Sequence, residues 1–174
     1  MCQDPPVRVY IPATVPMLRA LNAKGEVAAV GDTAFALTPA LRESYATGTA
    51  EELEYAAMTE AARASLRLLS GELSDDPDNT LPRRAVISAD VEGATLRPDL
   101  DPAVVRLDGA VTVTQIAAVH LDTEDAEPAV RAAVEVIDAA DLGDPDAEFT
   151  LGDAEDHELA WYATEELPFL LDLM

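Results

Sequence analysis

Between Thr49 and Gly71 the chain runs without a single glycine or proline. Thr49 and Glu52 stand at the spacing of a capping box, and Gly71 supplies a C-terminal stop. At 100° per residue, Leu53, Ala57, Ala61, Ala64 and Leu68 fall on one stripe. Tyr55, Met58, Ala62, Leu66 and Leu69 fall on an adjoining one, and Glu52, Glu60, Arg63 and Arg67 take the remaining face. A helix apolar over more than half its circumference must be covered by other layers, so this segment is predicted to form the centre of the core.

The flanking sequence supplies those layers. Val7–Ile11 alternates apolar and polar residues and reads as a strand. Thr14 caps a helix that runs to about Lys24 and stops at Gly25. Thr33–Leu37 is a second strand, and Thr38-Pro39 opens a helix that stops before Gly48. After a polar loop at Ser74–Asn79, strands are predicted at Arg84–Asp90, Val104–Leu107 and Val119–Asp122. Val111–Ala118 is ambiguous between helix and strand. A helix spans Glu124–Ala140, with Val130, Ala133, Val134 and Ile137 inward. An acidic loop at Asp141–Asp146, a weak strand at Glu148–Leu151 and an apolar helix at Glu165–Leu173 complete the chain. Interspersed short strands and helices predict an α+β domain, a two-layer mixed sheet with packed helices, over an open α/β sheet.

With 174 residues, the chain is read as one globular domain over residues 7–174, after a disordered tail at 1–6. Cys2, the single cysteine, excludes an internal disulfide framework, fits a reducing cytoplasm and is read as inert. No apolar run reaches the roughly 18–20 residues of a membrane span, and the N-terminus lacks the pattern of a secretory signal. The net charge is −23 and is unevenly placed. Residues 122–174 hold seventeen acids against one base, Arg131, whereas the first 70 residues hold eight acids and six bases. Such a field repels nucleic acid and anionic membrane and attracts a basic protein surface. Ten arginines against one lysine point to GC-rich coding rather than salt adaptation, which would not leave the N-terminal part balanced.

Four segments together resemble a known family: Arg8–Thr14, Thr33–Arg42, Glu52–Ala57 through Arg63–Arg67, and Asp153–Glu158 through Trp161-Tyr162. The chain resembles an uncharacterised actinobacterial family, a domain of unknown function. The resemblance implies a cytoplasmic bacterial protein and carries no activity, ligand or catalytic residue.

The motifs of nucleotide-binding and phosphate-binding loops, of the hydrolase nucleophile elbow and of zinc-peptidase helices are missing. No cofactor is therefore expected, and a divalent metal is the one addition the remaining candidates would suit. His157 lies among Asp153, Asp156 and neighbouring acids, either solvated or a ligand set for such a cation. His120 and Asp122 are two apart on a strand and share a side, as a hydrogen-bonded pair or as ligands. Asp144, Asp146 and Glu148 mimic a calcium loop but lack its glycine. Trp161 and Tyr162 should face opposite sides of a strand, and an exposed aromatic among carboxylates would anchor a cationic partner. Tyr10 is placed on an exposed sheet face. The leading expectation is thus a non-enzymatic binding or regulatory domain for a basic protein surface; the alternative is a metal-dependent hydrolase built on His120, Asp122 and His157. Crowded carboxylates are further expected to make the fold more stable at mildly acidic pH.

Overall fold

The computed structural model describes residues 6–174. Cys2 and most of the expected tail lie outside the described residues. Strand β1 (Val7–Ala13) leads into α1 (Val15–Lys24), which ends on Gly25 at φ 75°, a left-handed conformation suited to glycine. After β2 (Glu26–Val27) and β3 (Thr33–Ala36) comes α2 (Pro39–Ser44), capped by Thr38, whose hydroxyl accepts from the Leu41 N–H. Helix α3 (Ala50–Asp75) starts where Thr49 accepts from the Glu52 N–H at 3.2 Å. The chain continues through β4 (Ala85–Val91), β5 (Thr95–Leu96), β6 (Val104–Arg106), β7 (Val111–Thr112) and β8 (Ile116–Leu121). It closes with α4 (Glu127–Asp141), α5 (Pro145–Glu155), β9 (Ala160–Tyr162) and α6 (Leu167–Asp172).

The expected α+β architecture, helices packed on a sheet, is the one observed. Seven strands order as β5-β6-β3-β1-β4-β8-β9, with antiparallel pairing, and β2 and β7 form a separate small ribbon. Side-chain alternation sorts the sheet into two faces. Val9, Ile11, Ile87, Val119 and Leu121 meet Leu18 and Leu21 of α1 and Leu167 and Leu171 of α6. On the other face Tyr10, Phe35, Val86 and Val104 meet Ala57 and Ala61 of α3. The far side of α3 buries Leu66 and Leu69 against Val130, Val134 and Ile137 of α4 and Leu151 of α5. Helix α3 is therefore covered from two directions, as its wide apolar face requires.

Three local expectations change for identifiable reasons. Gly71 does not end α3, which continues one turn to Asp75, because Glu72 accepts a 2.8 Å hydrogen bond from Thr14 and so keeps the turn docked. The loop expected at Asp141–Asp146 shrinks to Leu142–Asp144, and Glu148–Leu151 is helical rather than a strand. Asp144 caps α5 by accepting from the Asp146 and Ala147 N–H groups, and Pro145 sits at the first helical position. The face of α3 that carries Arg63 and Arg67 is not simply solvated. Arg63 holds Asp141 and Glu148, and Arg67 holds Asp141 at 2.7 Å, so these arginines seat the α4–α5 pair on α3.

Burial rather than crowding chiefly raises two carboxyls, Glu60 and Glu72, above the ordinary value of 4.5. The second oxygen of Glu72 is buried without a hydrogen-bond partner. A carboxyl raised in the fold adds stability at low pH that is lost as pH climbs from 4.5 through the folded value. Asp141 behaves oppositely. The Arg67 guanidinium holds it below 3.8, so its contribution is lost only as pH falls through that depressed value. The melting temperature should therefore rise on mild acidification from neutrality and drop again in strong acid. In Glu72→Gln the neutral-pH value should rise by a few degrees and the slope between about pH 5 and 8 should flatten; an unchanged slope would contradict the assignment. Gly93 has φ 78°, and a Cβ there would run into the Asp108 carboxylate. Gly93→Ala should cost about 1–2 kcal/mol in urea unfolding, and a neutral result would contradict the strain.

Candidate functional site

The β4–β8 pairing ends in a buried ion pair. The Asp122 carboxylate accepts from the Arg84 backbone N–H, Nε and Nη2, each at 2.8 Å, and the Asp122 N–H donates back to the Arg84 carbonyl. The Asp122 side chain is wholly buried and that of Arg84 is 4% exposed. The remaining reach of Arg84 Nη2 goes to the His157 carbonyl at 2.7 Å. The pair thus ties the start of β4 and the end of β8 to the segment that feeds β9.

Beside it, strand register assembles a polar patch on the α3 face. Tyr10 pairs with Ser88 and Ser88 with Ala118, while Val86 pairs with His120 and His120 with Trp161. Cross-strand partners share a face, and so do residues two apart, so all of these point to one side. Helix α3 packs on β1, β3 and β4; towards β9 the face opens, and Trp161 is exposed. Between the first turns of α3 and β9 lies a cleft of about 400 Å³. Its helical wall is Glu51, Glu54, Tyr55 and Met58; its sheet side includes Arg8, Tyr10, Ser88, His120 and Trp161. A second cleft of about 330 Å³ shares Tyr55 and Met58 and continues to Arg63, Arg84, Glu155, His157 and Glu158.

The electrostatics of the two clefts are one-sided. Arg8 is held by Asp90 at 2.7 Å, Arg63 by Glu148 at 2.8 Å and Arg84 by Asp122. Glu51, Glu54, Glu155 and Glu158 have no basic partner among the described residues. His120 approaches the Ser88 hydroxyl at 3.2 Å, and burial, with the Arg8 charge adding to it, pushes its pKa below 6.5. The imidazole is therefore neutral at pH 7, and burial raises the Tyr10 phenol.

The residues singled out from the sequence distribute as follows. Tyr10, His120 and Trp161 come together in the first cleft, and His157 lines the second. Tyr10 is largely buried beneath α3 rather than on an open face. Asp122 does not share a ligand position with His120, because Arg84 consumes its carboxylate. Asp153 and Asp156 are exposed on α5 and at its end, and neither lines the cleft beside His157. Tyr162 pairs with Val119 and packs towards the opposite core. No group of three or more His, Cys, Asp or Glu side chains suited to a metal ion occurs among the described residues. Glu51, Glu54, Ser88 and Arg84 carry no local sequence signal of a site, since the docking of α3 on the sheet and the long-range pairing of β1, β4 and β8 convene them. Tyr55, assigned there to a buried stripe, is 57% exposed.

The model of DUF6912, described as a family of unknown function, matches residues 7–171, nearly the whole chain. This bears out the resemblance to an uncharacterised family. Neither a curated protein nor a solved structure matches the chain. No helix is long and apolar enough to cross a membrane among the described residues.

Asp122→Asn keeps the shape but strands the Arg84 charge in the interior. It should cost roughly 3–5 kcal/mol in urea unfolding, and part of that should return in Arg84→Met/Asp122→Leu. A loss below about 1 kcal/mol would show that the pair does not carry this junction.

Proposed function

We propose that this chain, which belongs to the DUF6912 family, is a non-enzymatic binding domain whose partner presents a basic protein surface. The observation that carries the reading is the sign of the charge left after internal pairing. Every arginine on the walls of the two clefts is neutralised by a carboxylate, and the glutamates opposite them are not. The same holds more widely. Of the seventeen acids in residues 122–174, Asp122, Glu127, Asp141 and Glu148 are paired with arginines, and thirteen have no basic partner among the described residues. Exposed Phe149 and Trp161 stand among them and offer apolar anchorage within the negative field. The proposal assigns the surplus acidity to steering and holding a cationic surface.

The test is calorimetric titration with an arginine- and lysine-rich peptide and with an acidic peptide of equal length, across a NaCl series. The basic peptide should bind, and its affinity should fall roughly tenfold or more between low and physiological salt. The acidic peptide should not bind. Absence of binding at low salt, or binding indifferent to salt, would overturn the proposal.

A further inference from the structure

We infer that the cleft between the first turns of α3 and β9 is a socket for the guanidinium group of an arginine carried by the basic partner. The inference rests on the binding function proposed above and adds the chemistry of the group that is held. Two features of the cleft select it. First, two exposed aromatic side chains stand on opposite walls, Tyr55 on α3 and Trp161 on β9, 57% and 60% exposed. Ring faces of this kind attract a cation through the quadrupole of the π-system, with tryptophan the strongest. Second, Glu51 and Glu54 lie three residues apart on α3, so both project to the side that lines the cleft. Neither has an internal basic partner among the described residues.

Each alternative occupant leaves one of these features unused. An anion is repelled by Glu51 and Glu54. A quaternary ammonium has no N–H to offer their carboxylates. A lysine ammonium carries N–H donors, but it is compact and strongly hydrated and stacks poorly. A guanidinium is planar, stacks on an aromatic face and presents a fork of donors to a carboxylate, which uses both walls at once. The one arginine already in the cleft does not compete for this role, because Arg8 is taken by both oxygens of Asp90 at 2.7 and 3.2 Å. Elsewhere on the sheet side Tyr10, Ser88 and the neutral His120 add no charge at neutral pH, which leaves Arg8, paired with Asp90, as the one cation lining the cleft.

Trp161 is the chain's single tryptophan, so its emission reports on this cleft alone. The experiment follows Trp161 fluorescence while an arginine-rich peptide, its lysine counterpart and its citrulline counterpart are titrated, with calorimetry in parallel. The arginine peptide should change the emission saturably, and the lysine peptide should bind at least about fivefold more weakly. The citrulline peptide should leave the emission unchanged. Glu51→Gln/Glu54→Gln and Tyr55→Ala should each weaken the arginine peptide roughly tenfold while leaving the melting temperature unchanged, since Glu51 and Tyr55 are exposed and Glu54 only half-buried. Calorimetric binding without a change in emission, equal affinity for arginine and lysine peptides, or unaltered affinity in both variants would overturn the socket and leave the binding function standing. No binding of either basic peptide would overturn both.

Discussion

The ion pair between Arg84 and Asp122 is the interaction on which the rest of the site depends. Burying two full charges is costly, and the cost is offset only when the geometry is good and the remaining donors and acceptors are used. Here the carboxylate takes three N–H groups from one residue, and Nη2 of the guanidinium also donates to the His157 carbonyl. That last bond bears on the proposed binding cleft, because the chain runs from His157 through two residues into β9 and Trp161. One buried junction therefore locks β4 to β8 and sets where the outer wall of the cleft stands.

The same logic, in a more exposed form, explains part of the charge asymmetry. The C-terminal acids complement arginines in the earlier half of the chain: Glu127 pairs with Arg83, Asp141 with Arg63 and Arg67, and Glu148 with Arg63. Each such pair is worth little alone, on the order of 0–1 kcal/mol. At the rim of the apolar seam formed by Leu66, Leu69, Val134 and Leu151, the pairs of Asp141 and Glu148 with Arg63 and Arg67 set the register in which α4 and α5 sit on α3. The acidity that remains is what supports a role in binding.

Much of this architecture was legible in the residues. Cap chemistry at Thr38 and Thr49 and the stop at Gly25 marked helix ends, and alternation located β1 and the second half of β8. What misled was chemistry with two readings. Asp144-Pro145 looks like an acidic turn until its N-cap geometry is seen, and Gly71 looks like a stop until Thr14 is found holding Glu72. Candidate residues were legible only one at a time. Tyr10, His120 and Trp161 are far apart in the chain and meet because β1, β4, β8 and β9 are neighbours in the sheet. No local pattern encodes that order. Asp122 was legible as a polar residue at a strand end, but nothing local pointed to Arg84 as the group that takes up its charge.

On the proposed function, binding is localised, with the cleft between α3 and β9 as the point of engagement. Backbone amide shift mapping of the isotope-labelled protein against an arginine-rich peptide tests it most directly. Perturbations should concentrate at the start of α3, around Glu51–Met58, and at His120 and Ala160–Tyr162. Shifts spread evenly over the acidic surface of α4 and α5, with these segments unmoved, would contradict it and reduce the interaction to unspecific attraction.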